Sequence, residues 1–391
     1  MVKKSVVDIK KNICVFNIIE EIYKSGQVTI ATLAKKLHTS VPSITVIVNE
    51  LIELNWLFEV GYSRTSSGRR PILYDINPQK RKVMVIDINI FETRFFVLDL
   101  RNNIIHQDSM TLSIQDETLI SKINEKATEI TALHDIWVVG ISSPGLISTE
   151  TDINHSYSNH NLNNKSICAN IEELLHIPTF LNHDTQAAIM GEHHFGAAKG
   201  LQNVLLVNFN WGLGMGILSN GRLVKGVSGF AGELGHIQMN PDGDLCQCGK
   251  RGCLETQASA LALFRKAERG IASGVSTSLS SKEKLWLEDI IDAAISGDEF
   301  SIDLILEVGK ELGKGLAVAV HMFNPEIVII DGLLSKAGEL LLTSLSQSIN
   351  KYCIPDFKKD LQIQMSSMNQ MSKVFGVKSL VFCHMLHRGI M

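Results

Sequence analysis

At Lys82 the hydrophobic pattern of the chain changes, and no single packed layer can absorb both halves. Before it, apolar residues recur at helical spacing. Val15, Ile18, Ile19 and Ile22 form one stripe, Ile30, Leu33, Ala34 and Leu37 a second, and Ile44, Ile47, Val48 and Leu51 a third. After it come short apolar runs of the kind that build an α/β sheet, at 83–88, 94–100, 136–142, 203–209 and 326–330. Helical stretches such as 307–323 lie between them. A chain of 391 residues is also too long for one ordinary core. The expected division is 1–80, then an α/β body with lobes at 81–195 and 196–391, the last helix free to return to the first lobe.

The front part has the order of a winged helix-turn-helix. Gly26 closes the first stripe, Thr29 is placed to cap the second helix, and Ser40 the third, with Pro42 tolerated in its first turn. In a helix-turn-helix the second helix of the pair enters the major groove by its N-terminal end. Its outward face here presents Pro42, Thr45, Val46 and Asn49 beyond Ser40, groups that bond base edges or touch thymine methyls. Residues 55–60 then read as a strand, 61–68 as a turn-rich loop and 71–76 as a second strand, which makes a wing. Arg64, Arg69 and Arg70, with Ser66, Ser67 and Gly68, offer donors to phosphates or the minor groove.

Charge agrees with this order. Residues 1–82 carry 13 Lys/Arg against 7 Asp/Glu, and the remainder 24 against 34, which together give the net −4 of the whole chain. A basic front on an acidic body confines a double-stranded DNA contact to the front. The bland alternative is a three-helix packing module with a basic hairpin. No stretch of about 18 apolar residues is present, and no apolar signal core follows the basic start at Lys3 and Lys4. The expected setting is the cytoplasm, without membrane insertion.

Seven cysteines are divided unevenly. Cys14, Cys168, Cys353 and Cys383 are scattered, whereas Cys246, Cys248 and Cys253 are clustered. With His236 they form a Cys₃His set, the ligand set of closed structural zinc sites, and Gly249 and Gly252 let the chain turn tightly around a small ion. The alternative is three free thiols and a core histidine.

The order of several motifs resembles the ROK family, named for repressors, open reading frames and kinases, and within it the NagC/XylR-type regulators. The motifs are residues 67–71 closing the wing (SGRRP), 142–145 (SSPG), Asp184 with Ala187, Ala188 and Glu192, 212–216 (GLGMG), 232–236 (GELGH), the cysteine cluster followed by Leu254 and Glu255, and 324–326 (NPE). The resemblance implies a two-lobed actin/hexokinase-like (RNase H-like) body behind the winged helix, with one structural zinc ion and a sugar cleft. It assigns Glu233, His236, Glu255 and Asp184 to sugar hydroxyls, and gives His236 a second duty as a zinc ligand with Cys246, Cys248 and Cys253. The family's Asn before the aspartate is His183 here, and a further Asn is Gln186. Asn161 is a further candidate for the cleft.

The family also contains kinases, in which the residue matching Asp184 is the general base. Their first phosphate loop needs glycines so that backbone N–H groups approach the phosphates. The matching stretch, residues 87–93, has Ile90 and Phe91 instead, and Asp331 replaces the first glycine of a second pair, with Gly332 retained. The expected function is therefore a sugar-responsive transcriptional regulator, most simply a repressor of carbohydrate genes, with Asp184 a vestigial base and no catalysis. A sugar kinase with an added DNA-binding domain and a regulator gated by a protein partner are the competing readings. Two-fold helix-turn-helix logic and the resemblance imply a homodimer or homotetramer.

Overall fold

The computed structural model describes residues 6–63, 70–148, 151–157, 161–162, 165–368 and 370–389, the side chains of 6–10, 161 and 162 excepted. The front part holds α1 (Val6–Ser25), α2 (Ile30–Lys36) and α3 (Val41–Glu53), then β1 (Leu57–Tyr62) and β2 (Ile72–Ile76). Both expected caps form: the Thr29 hydroxyl accepts from Thr32 N at 3.2 Å and the Ser40 hydroxyl from Ser43 N at 3.4 Å. The helical stripes close a small core around Ile18, Ile22, Leu33, Ile44, Val48 and Leu51. β1 starts two residues later than the apolar run suggests. Asn55 takes a left-handed turn at φ 58° directly after α3, so the chain cannot enter the strand before Leu57.

The body begins with β3 (Val83–Ile88), β4 (Glu92–Leu98), β5 (Ile104–Thr111), α4 (Leu119–Leu133) and β6 (Val138–Ser143). Four two-residue strands follow, β7 (Ile147–Ser148), β8 (Ile153–Asn154), β9 (Asn161–Leu162) and β10 (Lys165–Ser166), then α5 (Ile167–Leu175), β11 (Thr179–His183) and α6 (Asp184–Phe195). Next come β12 (Val204–Phe209), β13 (Leu213–Ser219), β14 (Arg222–Leu223), α7 (Ala260–Ala272), α8 (Leu287–Ile295) and α9 (Glu299–Phe323). The chain ends with β15 (Ile327–Asp331), α10 (Glu339–Tyr352), α11 (Pro355–Lys358), β16 (Gln362–Met365) and α12 (Met371–His387).

The two large sheets repeat one plan. Their strand orders are β11-β6-β3-β4-β5 and β14-β13-β12-β15-β16. In each, the first three strands form an antiparallel meander and the fourth joins the first in parallel. β3, β6, β12 and β15 are buried along their whole length, which is why they read as unbroken apolar runs. This duplicated plan is the actin/hexokinase-like architecture.

The chain forms two compact units, residues 1–143, 157–181 and 377–391 in one, 144–156 and 182–376 in the other. The winged helix belongs to the first unit and is fixed there by α12 and the β4–β5 turn. Tyr23 of α1 stacks on Phe382 of α12 with ring centroids 4.3 Å apart. Arg101 donates to the carbonyls of Ile22 and Tyr23, each at 3.2 Å, and pairs with Asp75 of β2. A cation on the last carbonyls of α1 is favoured by the helix dipole. Lys378 is fully buried, donates to Asn102 Oδ1 at 2.5 Å and lies 4.9 Å from the centre of the Tyr23 ring. Burial pushes the Lys378 ammonium well below its ordinary range, against the pull of Asp99.

In the second unit α6 and the start of α12 cross backbone to backbone. A Cβ on Gly191 would lie 1.9 Å from the Ser372 carbonyl oxygen, and one on Gly376 would lie 1.7 Å from that of Ala187. No helix among the described residues is long and apolar enough to cross a membrane.

Candidate metal centre and polar site

Between β14 and α7 the chain has little regular structure, and its side chains converge. One ligand atom from each of His236, Cys246, Cys248 and Cys253 lies within 4.8 Å of the others. The Cys248 and Cys253 sulfurs are 3.6 Å apart, and Cys246 Sγ is 3.6 Å from His236 Nδ1. A tetrahedral ion with Zn–S bonds of about 2.3 Å sets its ligands about 3.8 Å apart, so the donor set fits such an ion. Gly249 and Gly252 adopt φ of 85° and 73° to bring the ligands together. A Cβ on Gly252 would also lie 1.5 Å from the Asn240 carbonyl oxygen. Burial and the neighbouring thiols push the Cys253 thiol up to about 12, whereas the Lys250 N–H pulls Cys248 down. Three thiols this close resist ionising together, and a bound divalent cation reverses that preference.

His236 connects this cluster to a second set of polar groups. Its Nδ1 faces Cys246, while its Nε2 lies 3.8 Å from Glu233 Oε2. Burial raises the Glu233 carboxyl above its ordinary value and Asp184 and Glu255 add to this, while His183 and His236 oppose it. Glu255 joins the metal cluster to the glycine-rich start of β13. It accepts from Leu213 N at 3.0 Å, and its other oxygen lies 4.0 Å from Cys246 Sγ. The glycines of β13 have a packing role as well: a Cβ on Gly214 would meet Thr185 Oγ1 at 2.7 Å, and one on Gly216 would meet Ile189 at 2.8 Å.

Asp184 opens α6 as its first residue. It accepts from Thr185 N at 2.6 Å, from Thr185 Oγ1 at 3.0 Å and from Asn208 Nδ2 at 3.1 Å. His183 caps α6 with Nδ1, which accepts from Thr185 N at 3.2 Å. Gln186 is a structural anchor that donates to Gly229 O at 2.8 Å. Two residues that sequence reasoning missed belong here. Asn208 orients Asp184, and Asn210 donates to Asn208 Oδ1 at 2.6 Å while accepting from Leu333 N at 2.8 Å. A polar residue inside the buried run 204–209 marks Asn208 as needing a partner without saying which, and nothing in the sequence marks Asn210. Asn161 lies in β9 in the other unit, and its side chain is outside the described residues.

The residues that the resemblance aligns with a kinase's phosphate and nucleotide loops bond within the protein, each in its own unit. Asp87 is fully buried and accepts from Arg94 Nη2 at 2.6 Å, Arg94 Nε at 3.2 Å and Asn89 Nδ2 at 3.1 Å. Asn89 N closes the turn on Glu92 O at 2.8 Å. Phe91 stands 52% exposed at this turn, while the backbone of Ile90 and Phe91 bonds to Ile114 and Leu112. Asp331, in the second unit, is buried, accepts from Gly332 N at 2.7 Å and is bonded by Ser372 Oγ. Burial pushes its carboxyl up to about 6.

On the winged helix, Pro42, Val46 and Asn49 are exposed on one face of α3, with Thr45 half-buried beside them and Ser40 at its entry. Arg70 is exposed just before β2, and Arg64 and Arg69 lie outside the described residues.

A winged helix-turn-helix in front of a duplicated sheet body with a Cys₃His loop defines a sugar-kinase-like fold with an added N-terminal domain. The ROK family model matches residues 83–383, and the chain belongs to that family as one of its transcriptional regulators, not its kinases. It is 29% identical over 376 residues to the xylose repressor of Bacillus subtilis, covering 94% of each chain. A crystal structure of a ROK family transcriptional regulator, a homolog of the E. coli MLC protein, superposes with a TM-score of 0.83 at 26% identity, covering 97% of this chain and 99% of that one. A ROK family glucokinase from Streptomyces griseus in complex with glucose and AMPPNP gives 0.70 at 27% identity, covering 76% of this chain and 98% of that one.

Proposed function

We propose that the chain is a sugar-gated repressor that binds duplex operator DNA through residues 1–80 and senses its effector through residues 81–391. The observation that carries this reading is the capped α3 with its outer face exposed, in a chain that aligns with a xylose repressor over 94% of each. Ser40, Pro42, Thr45, Val46 and Asn49 approach the bases, and Arg64, Arg69 and Arg70 approach the backbone or minor groove. The sugar hydroxyls are taken by His183, Asp184, Glu233, His236 and Glu255. Planar carboxylates and imidazoles offer paired acceptors and donors to adjacent hydroxyls.

The metal is a structural zinc ion held by His236, Cys246, Cys248 and Cys253. When bound, it supplies positive charge that keeps the thiolates together. His236 presents its outer nitrogen to Glu233, so the loop's order and the sugar contact are linked through one ring. Operator symmetry calls for a homodimer or homotetramer, and the cytoplasm is where the operator lies.

The test is linkage. Xylose is the first probe, since the chain is similar to a xylose repressor, followed by other pentoses and hexoses. Sugar affinity is measured by calorimetry with and without operator DNA, and operator affinity with and without saturating sugar. The same coupling factor must come from both. A bound sugar with a factor of one removes it as effector and transfers gating to a protein partner.

A further inference from the structure

The recognition helix carries chemistry that narrows the DNA it fits. α3, Val41–Glu53, contains no Lys or Arg. The commonest specific contact to guanine, a bidentate Arg or Lys on O6 and N7, therefore has no donor on this helix. Its first turns expose apolar groups instead, with Val41 49% and Val46 57% exposed. The Thr45 hydroxyl donates back to Val41 O at 2.8 Å, which leaves its methyl as the group free to turn outward. The Ser40 and Ser43 hydroxyls bond each other at 2.8 Å. Asn49 is exposed and carries the side-chain amide, whose oxygen and nitrogen match N6 and N7 of adenine.

Resting on the DNA-binding reading above, we infer that α3 reads an A·T-rich half-site, with Val46 and the Thr45 methyl seated on thymine C5-methyl groups and Asn49 on an adjacent adenine. The occupant of this apolar face is the major groove because the face lies at the N-terminal end of the second helix of the pair, in the segment whose charge balance is basic. The thymine methyl is the one apolar group that base pairs present in that groove. Specificity then rests on methyl burial, and phosphate affinity on basic residues outside α3.

The experiment uses full-length, zinc-loaded protein and a randomised duplex library at moderate salt. Selection should enrich half-sites whose core is consecutive A·T pairs. Replacing a contacted thymine by deoxyuridine removes one methyl and should weaken binding about four-fold, the equivalent of one buried carbon group. Val46→Ala, an exposed substitution with little reach into the fold, should weaken binding and abolish the deoxyuridine effect at one position. Enrichment of a G·C core, or binding indifferent to deoxyuridine, overturns the inference while leaving DNA binding intact. Absence of any salt-sensitive duplex binding overturns the DNA reading itself and this inference with it.

Discussion

The cysteine loop at 236–253 and the β3–β4 turn arrange their polar groups in opposite ways. The loop keeps every ligand, the glycines that close it and the histidine that faces two ways. The turn keeps its aspartate but gives it an internal partner, Arg94, and bulky residues at its tip. Asp331 repeats that pattern in the other unit, a carboxylate bonded inward by Ser372. The donor atoms of the loop converge on one another, while the carboxylates of Asp87 and Asp331 are bonded inward by Arg94 and Ser372. The lesson is that a fold shared with kinases need not carry their chemistry, because the same backbone positions can bear carboxylates that bond inward.

The largest effect should come from the loop. Cys253→Ser removes a buried ligand, and a closed Cys₃His site carries on the order of 10 kcal/mol of metal-binding free energy that doubles as folding free energy. Elemental analysis should fall from about one zinc per chain to near zero, with the melting midpoint lower by roughly 10 °C. A metal-free variant with an unchanged midpoint would show that the loop folds without an ion, and the contrast with the turn would disappear.

Next is the turn. Asp87 is wholly buried and the Arg94 side chain only 14% exposed. Arg94→Ala leaves an uncompensated buried carboxylate and should cost about 3–5 kcal/mol by urea denaturation. A cost under about 1 kcal/mol would mean that Asp87 is still solvated, and open to another cation.

Asp331 sharpens the comparison through pH. Its carboxyl titrates at about 6 in the fold against an ordinary 3.8, so the native state holds the proton longer than the unfolded chain. Its favourable contribution is complete below about pH 4 and is lost as pH rises through about 6. Asp331→Asn deletes that slope. The stability of the natural protein relative to the variant should therefore fall across pH 4 to 6, by up to about 3 kcal/mol. Equal slopes in the two proteins would place the titration elsewhere.

Much of this contrast was legible in the residues, for physical reasons that differ by site. The four metal ligands are close in sequence, so spacing alone limits their geometry. The caps at Thr29 and Ser40 are local bonds over three residues, and they formed as read. The loss of glycine at Ile90 and Phe91 was visible, but its consequence was not: the Arg94–Asp87 pair depends on strand register, where the two residues face each other across β3 and β4. Asn208 and Asn210 were invisible as site residues because their partners, Asp184 and Leu333, are distant in sequence. The docking of α1 on α12 joins opposite ends of the chain, and no local pattern announces it.

The smallest effect tests whether glycines at this turn suffice to let the chain hold a nucleotide. The double variant Ile90→Gly, Phe91→Gly restores a loop that backbone N–H groups could wrap around a phosphate. Two added glycines should cost roughly 1–2 kcal/mol, since Phe91 is already largely exposed and each glycine adds chain entropy to the unfolded state. Nucleotide binding should nevertheless stay absent. Asp87 remains held by Arg94 and Asn89, so it has no free oxygen pair to organise a magnesium-bound phosphate, and Asp331 still presents a buried carboxylate in the second unit. Thermal shift with millimolar magnesium-ATP should therefore move the variant's midpoint no more than it moves the natural protein's. A clear ATP-dependent rise in the double variant would show that the inward-turned carboxylates are spectators. The difference between the two regions would then reduce to a pair of lost glycines.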